Sequence, residues 1–375
     1  MTRTTRWRRT LALAAAVPLV SALAACASAD SKPQSGSSAS TPAAASTTDS
    51  AAPLAESKTL RLGFFGNVTH ATPLVGLKEG IYAKALGSTT ISTKIFNAGP
   101  AAVEAITGGS LDAAYLGPNP AINGYVKSKG KLLRIIAGAT SGGAALVVKP
   151  SITSVAQLKG AKLATPQLGG TQDVALRAFL NTHGLKVPVS GKGDVSIINA
   201  ENATTLQQFQ AGAIDGAWLP EPWASRLVIE AGAKVLVDEK TLWPAGKFVT
   251  THLVVSQEFL DKYPGTVKKL LEGQVETTAW IKANPDKAKA DVNAQLADPD
   301  ISGKALEQDV LDAAWKNIAV TDDPIASSLK QSAQNAVSAG LLDPPDLSGI
   351  YDLRLLDQVL QEHGEPAVDA AGLGV

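Results

Sequence analysis

Gly109-Ser110-Leu111-Asp112-Ala113-Ala114-Tyr115-Leu116-Gly117-Pro118-Asn119-Pro120 is followed, 103 positions later, by Gly212-Ala213-Ile214-Asp215-Gly216-Ala217-Trp218-Leu219-Pro220-Glu221-Pro222-Trp223. Both copies follow a segment of helical pattern, Ala101 to Thr107 and Thr204 to Gln210. Each reads as a short strand of small residues ending in an aromatic, then a Pro-punctuated turn into a helix. Open α/β sheets collect ligands where strands end and helices begin, because helix N-termini present unpaired N–H groups there. Two copies in one chain predict two similar lobes, each giving one such corner to a shared cleft.

The pattern around the copies extends this reading. Thr59 to Phe65 predicts a strand, broken at Gly66 to His70 before a helix carrying Leu74, Leu77 and Ile81. Thr93 to Phe96, a helix from Pro100, the first copy, a helix from Pro118 to Val126 and a strand from Leu132 to Ala139 complete one series. A second starts beyond Gly138 to Gly143 and the apolar run Ala144 to Val148. It has a helix at Val155 to Leu158, strands at Ala161 to Ala164 and Val195 to Ile198, and a helix from Thr171 to Leu180. After the second copy come a helix from Glu221 to Glu230 and a strand at Lys234 to Val237. Strands alternating with helices predict βαβ units and mostly parallel sheets. Phe248 to Val255 reads as a strand crossing back, and the remainder as helices wrapping the first lobe. The expected division is residues 58–147 and 250–375 for lobe one and 148–249 for lobe two. Two crossings make a hinge that lets the lobes close on a ligand.

The N-terminus predicts export. Arg3, Arg6, Arg8 and Arg9 precede an apolar stretch from Leu11 to Leu23, too short to span a membrane comfortably. It ends in Leu23-Ala24-Ala25-Cys26, which looks like a bacterial lipobox, so residues 1–26 read as a lipoprotein signal with Cys26 as the lipidated residue. Two acyl chains would anchor the protein stably. Residues 27–57, rich in Ala, Ser and Thr, read as a disordered tether, since they cannot bury enough apolar surface to offset ordering. Cys26 is the single cysteine, so no disulfide is expected. With 34 basic and 34 acidic residues, the formal charge is zero, and nothing points to nucleic acid.

The residues Leu62-Gly63-Phe64-Phe65-Gly66-Asn67-Val68-Thr69-His70-Ala71, Gly117-Pro118-Asn119-Pro120, Thr165-Pro166-Gln167-Leu168-Gly169-Gly170-Thr171-Gln172-Asp173 and Pro220-Glu221-Pro222-Trp223 resemble the solute-binding proteins of ABC importers, in the branch for aliphatic sulfonates, taurine and nitrate. The resemblance runs from Thr59 to about Leu360. It implies an α/β, two-lobe Venus-flytrap fold of the periplasmic-binding-protein type II, working as a monomer. Such a protein captures a small solute and passes it to a membrane permease, without a cofactor or a metal.

The strand-to-helix loops then supply the candidate site. In lobe one these are Asn67, Thr69, His70, Gly117, Pro118, Asn119, Ser141, Gly142 and Gly143; in lobe two, Gly170, Thr171, Gln172 and Glu221. Glycines let backbone N–H groups approach a ligand, and Thr, Asn and Gln add side-chain donors. That set suits a sulfonate or another tetrahedral or planar oxyanion held at helix N-termini. Tyr115 and Trp218 read equally as ligand contacts or core aromatics. His70 either caps its helix or touches the ligand. Glu221 is explained by the helix dipole alone, yet is also placed to pair with an amine on the solute. His252 reads as a packing residue at the hinge, His183 and His363 as helix ends, and Asp112 and Asp215 as turn or cap residues. Nitrate, bicarbonate and a pyrimidine precursor are alternative solutes. Catalysis has little footing: there is no Gly-x-Ser-x-Gly elbow, no free Cys nucleophile and no His pair at metal-ligand spacing.

Overall fold

The computed structural model describes residues 53–375. The basic segment, the apolar stretch, Cys26 and most of the expected tether lie outside the described residues. Among the described residues no helix is long and apolar enough to cross a membrane.

Lobe one starts with β1 (Thr59–Phe64), whose inward residues Leu60, Leu62 and Phe64 are fully buried. Helices α1 (Ala71–Lys78) and α2 (Ile81–Leu86) lead to β2 (Thr90–Ile95). Then α3 (Gly99–Thr107), β3 (Ala113–Leu116), α4 (Pro118–Lys127) and β4 (Leu133–Gly142) follow. Pro sits in the first turn of both α3 and α4, where its missing N–H costs nothing. Lobe two holds β5 (Ala144–Val148), β6 (Lys162–Thr165), α5 (Thr171–Thr182), β7 (Ser196–Asn199), α6 (Asn202–Gln210), β8 (Gly216–Pro220), α7 (Trp223–Ala231) and β9 (Lys234–Asp238). The chain returns through β10 (Val249–Ser256). It continues with α8 (Gln257–Lys262), α9 (Pro264–Ala283), α10 (Pro285–Leu296), α11 (Gln308–Lys316), β11 (Ile318–Val320), α12 (Ala326–Ser338) and α13 (Arg354–Glu362).

The two sheets repeat one plan. In lobe one the order is β2-β1-β3-β10-β4-β11; in lobe two it is β7-β6-β8-β5-β9. β1 pairs in parallel with β2 and β3, as β6 does with β7 and β8. The copy strands β3 and β8 each meet one antiparallel neighbour on the other side, β10 and β5. The repeated aspartates do the same job twice. Asp112 accepts from the Arg61 backbone N–H at 2.7 Å and pairs with the Arg61 guanidinium. Asp215 accepts from the Lys162 N–H at 2.8 Å and pairs with the Lys149 ammonium at 2.7 Å. Each carboxylate ties the start of its strand to the neighbouring strand, a cross-strand role in place of the expected turn or cap.

Three differences from the sequence reading have physical causes. β5 belongs to the second sheet, so the first crossing falls at Gly143 rather than near Val147. Gly142 and Gly143 both have φ of 77°, a backbone turn that the apolar run after them masks in a hydropathy pattern. The wrapper is not wholly helical: β11 adds an edge strand beside β4, too short at three residues to carry an alternation. Val155–Leu158 is a single 3-10 turn closed by Ser154 and Gln157. The wrapper helices bury the outer face of lobe one, with Val267, Leu270, Leu271, Leu329 and Leu356 inside its core. Lobe two has smaller cores on the two faces of its sheet.

Candidate functional site

Five helices begin around one cavity between the lobes. Its walls include His70 just before α1, Gly99 at the start of α3, Gly117 before α4, Gly170, Thr171 and Gln172 at the start of α5, and Asn202 at the start of α6. The first N–H groups of a helix have no intrahelical acceptor, and the aligned peptide dipoles place about half a positive charge there. Asn67, Thr69, Asn97, Thr250 and Thr251 add polar side chains, and Phe65, Pro120, Pro166 and Pro220 complete the wall. No lining residue is charged. The space between atoms is about 440 Å³, solvent at its mouth included.

Three buried polar atoms in this wall have no hydrogen-bond partner: His70 Nε2, Thr171 Oγ1 and Asn202 Oδ1. Leaving such a group unpaired costs about 1–3 kcal/mol, so each is a position where a bound solute gains. Burial pushes the His70 pKa down to about 3, so the ring is a neutral imidazole there; it rests against Phe65 with ring centroids 4.4 Å apart. Thr69 Oγ1 lies 3.3 Å from His70 Nδ1.

The donors of lobe two are braced from behind. Buried Asp173 accepts from the Gly169 N–H at 3.0 Å, from Thr165 Oγ1 at 3.0 Å and from Asn199 Nδ2 at 3.1 Å, and pairs with buried Arg177 at 2.9 Å. That network holds the loop from Thr165 to Gly170 and therefore the first turn of α5. Gly169, with φ of 72°, supplies the left-handed residue the loop needs.

The lobes touch across the cleft. Trp223 Nε1 donates to Asn67 Oδ1 at 2.8 Å, Asn97 Nδ2 donates to Glu201 Oε1 at 2.7 Å, and the Thr69 N–H reaches the Glu221 carbonyl at 3.4 Å. Gly117 faces Thr171 so closely that a Cβ on it would lie 2.1 Å from Thr171 Oγ1. The arrangement is a closed one.

Of the residues singled out from the sequence, Asn67, Thr69, His70, Gly117, Gly170, Thr171 and Gln172 come together in this wall. Others do not. Tyr115 points into the core of lobe one, its hydroxyl bonded to Tyr82 at 2.5 Å and to Gln274 Oε1 at 2.6 Å. Trp218 lies in the core of lobe two with Nε1 donating to buried Glu239 at 2.6 Å. A strand end alternates faces, and in both copies the aromatic takes the inner one. Pro118 and Asn119 lie on the far side of the first turn of α4, where Asn119 Nδ2 donates to the Ser332 carbonyl at 3.0 Å. Ser141, Gly142 and Gly143 form the end of β4 and the crossing, with Gly142 O accepting from Thr250 Oγ1.

Glu221 is the main correction. Its carboxylate turns away from the cavity and accepts from Asn317 Nδ2 at 2.7 Å and from the Ser225 N–H at 3.1 Å. Asn317 follows α11 of the wrapper, so Glu221 fastens lobe two to lobe one instead of facing a solute. Burial raises its pKa. His252 packs in β10 with Nε2 against the Pro324 carbonyl at 3.1 Å, while His183 and His363 are exposed helix ends, as expected.

Asn202, Asn97, Gly99, Pro120, Thr250 and Thr251 line the cavity without having been singled out. A signal existed for Asn202. The 103-residue spacing that relates the two copies also relates Gly99 to Asn202 and Gly117 to Pro220, and all four line the cavity.

The family model for the NMT1-like family matches residues 54–297. The chain is 28% identical over 219 residues to the taurine-binding periplasmic protein of Escherichia coli, covering 58% of this chain and 66% of that protein. It is 25% identical over 316 residues to a putative aliphatic sulfonates-binding protein of Bacillus subtilis, covering 82% and 89%. The fold matches the periplasmic nitrate-binding protein NrtA from Synechocystis PCC 6803 with a TM-score of 0.67 at 16% identity, over 83% of this chain and 90% of that one. With two matching sheets, a cleft of helix N-termini and this match over most of the folded body, the chain belongs to the NMT1-like family, as an extracytoplasmic solute-binding protein.

Proposed function

We propose that this protein captures a small sulfonate between its lobes and delivers it to the permease of an ABC importer, working as a monomer held at the outer face of the cell membrane by lipid on Cys26. The observation that carries the reading is the convergence of five helix N-termini on a cavity with no charged side chain. Dipoles and neutral donors stabilise an oxyanion there without a counter-ion. Neutral donors also leave release possible, which delivery requires. The relatives named for taurine and aliphatic sulfonates support sulfonate over other anions. They are binding proteins, and binding rather than turnover is the activity assigned.

The test is thermal stability across a panel of sulfonates. A ligand that binds only the folded state raises the melting temperature, by a stabilisation that grows with the logarithm of its concentration above its Kd. A rise with at least one sulfonate is expected, and no rise with any of them rejects the reading. Nitrate and bicarbonate would meet the same donors, and the fold match to a nitrate-binding protein keeps them as the second reading. Competition of each against a bound sulfonate separates the two. Radiolabelled palmitate incorporation lost in Cys26→Ser tests the anchor.

A further inference from the structure

Trp223 opens α7 on lobe two, and its ring reaches across the cleft to lobe one. Its Nε1–H donates to Asn67 Oδ1 at 2.8 Å. An indole N–H can only donate, so the oxygen end of the Asn67 amide has to face it. The Asn67 side chain does not cap the turn it precedes. Asn67 is 5% exposed and lines the inner cavity, whereas Trp223 stands outside that wall. With the oxygen held by Trp223, the group that the amide has left for the cavity is Nδ2, which carries two donors.

The indole is itself held. Trp223, Arg226 and Glu230 share one face of α7 by their helical spacing. The Arg226 guanidinium lies over the indole, 4.6 Å from the ring centroid, and Glu230 fixes Arg226 by two bonds at 2.8 and 3.0 Å. At the matching place, 103 positions earlier, lobe one carries Pro120, which lines the cavity and has no donor to give. The clasp therefore runs one way, from lobe two onto a polar side chain of lobe one.

We infer that Trp223 is a positioning residue: by binding the Asn67 oxygen when the lobes close, it turns the Asn67 amide N–H groups toward the solute. This inference rests on the reading that an oxyanion occupies the cavity, and it adds how closure readies a donor from the opposite lobe. With the lobes parted, Trp223 withdraws and the amide can present either end. With them closed, it presents donors only. An oxyanion oxygen is matched there, while an ammonium group would meet like donors, so an amine on the solute has to lie elsewhere.

The experiment uses the intact protein labelled with an isotope of nitrogen for magnetic resonance. Asn67→Ala, Trp223→Phe and the double variant stand beside the parent, with ethanesulfonate as the probe, or taurine where taurine binds more tightly. The side-chain amide resonances of Asn67, identified by their absence from Asn67→Ala, should shift and exchange more slowly with water when the probe is added to the parent. Trp223→Phe keeps a ring but not the N–H, and should leave them unprotected. In calorimetric titration Asn67→Ala should weaken binding about tenfold, as for one hydrogen bond to a charged group. Trp223→Phe should weaken it about fivefold with Asn67 present and about twofold or less in Asn67→Ala, because the two act as one unit. An equal loss from Trp223→Phe in both backgrounds overturns the positioning role and leaves the sulfonate reading standing. So do Asn67 amide signals that stay unmoved in a parent that binds the probe. A parent that binds neither probe overturns both.

Discussion

The corner at Leu116-Gly117-Pro118 and the corner at Leu219-Pro220-Glu221 occupy matching places in the two lobes but serve different ends. In both, the strand aromatic turns inward and fastens its polar tip to a buried group: Tyr115 to Gln274, itself bonded to Asp322, and Trp218 to Glu239. In both, the residue after the strand's last leucine, Gly117 or Pro220, lines the cavity. Beyond that point they part. The lobe-one corner stays small, so that Thr171 can close on it. The lobe-two corner carries Glu221 and Trp223, which hold Asn317 and Asn67 of the other lobe. A repeated backbone fixes where the cleft is; the side chains that differ decide which lobe yields space and which one clasps.

Four changes test that division, from the largest expected effect down. Asp173→Ala leaves buried Arg177 without its partner and frees the loop before α5. The loss should be about 3–5 kcal/mol of stability in urea unfolding, the usual cost of breaking a buried pair. An unchanged midpoint would show that the brace is dispensable.

Gly117→Ala should prevent full closure, because the added methyl meets Thr171 Oγ1. Affinity for a sulfonate should fall at least tenfold, with the melting temperature of the ligand-free protein within a few degrees of the parent. Small-angle scattering should then show the lobes parted in the presence of ligand. Closure to the parent dimensions would refute the close approach.

The two inner fastenings predict a pH response. Burial pushes Glu239 up to about 7 and Asp322 up to about 6. A carboxyl whose folded pKa is raised contributes stability that is complete below its unfolded pKa and is lost as pH rises through the folded value. Each group should therefore cost about 1.4 kcal/mol per pH unit between its two values. Buried His70, at about 3, and His252, at about 4, act in the opposite sense: their contribution is present above the unfolded pKa and lost on acidification below about 6.5. Stability should thus be nearly flat between about pH 4.5 and 6, where the terms oppose, and fall below that window. Above about pH 6.5, where the histidine contributions are complete, Glu239 alone should lower stability up to about pH 7, and Glu239→Gln should remove that loss in chemical denaturation. An identical pH profile for the variant would exclude Glu239 as its source.

Glu221→Gln should do least. Its carboxylate does not line the cavity, so taurine and ethanesulfonate should lose affinity by the same small factor, about threefold or less for one altered hydrogen bond. A selective loss of taurine would return Glu221 to the ligand site.

The sequence made much of this legible, for a reason seen in its repeat. Strand-then-turn segments with Pro or Gly at helix starts encode backbone geometry, and geometry is what puts Gly117, Gly170 and Thr171 at the cavity. Side-chain direction was not legible in the same way. Tyr115 and Trp218 stand two residues before Gly117 and Pro220, which line the cleft, and that sequence distance does not tell whether an aromatic at a strand end reaches the ligand or the core. The helix-start role of Glu221 is legible, but its clasp on the other lobe is not, because its partner Asn317 lies 96 residues away in the wrapper, where no local pattern announces it. The copy spacing points to Asn202 through Gly99, but the helical pattern read from the sequence starts at Thr204, two residues beyond the true helix start, and so leaves Asn202 outside it.

The central claim is that neutral donors at helix N-termini hold the solute's oxyanion. The most direct measurement is calorimetric titration of a sulfonate into the parent protein and into Thr171→Val, which keeps the shape of the side chain and removes its unpartnered hydroxyl. The account predicts saturable one-to-one binding to the parent and affinity lower by about tenfold in the variant, with an unchanged fold by circular dichroism. Equal affinity in the two proteins would contradict it.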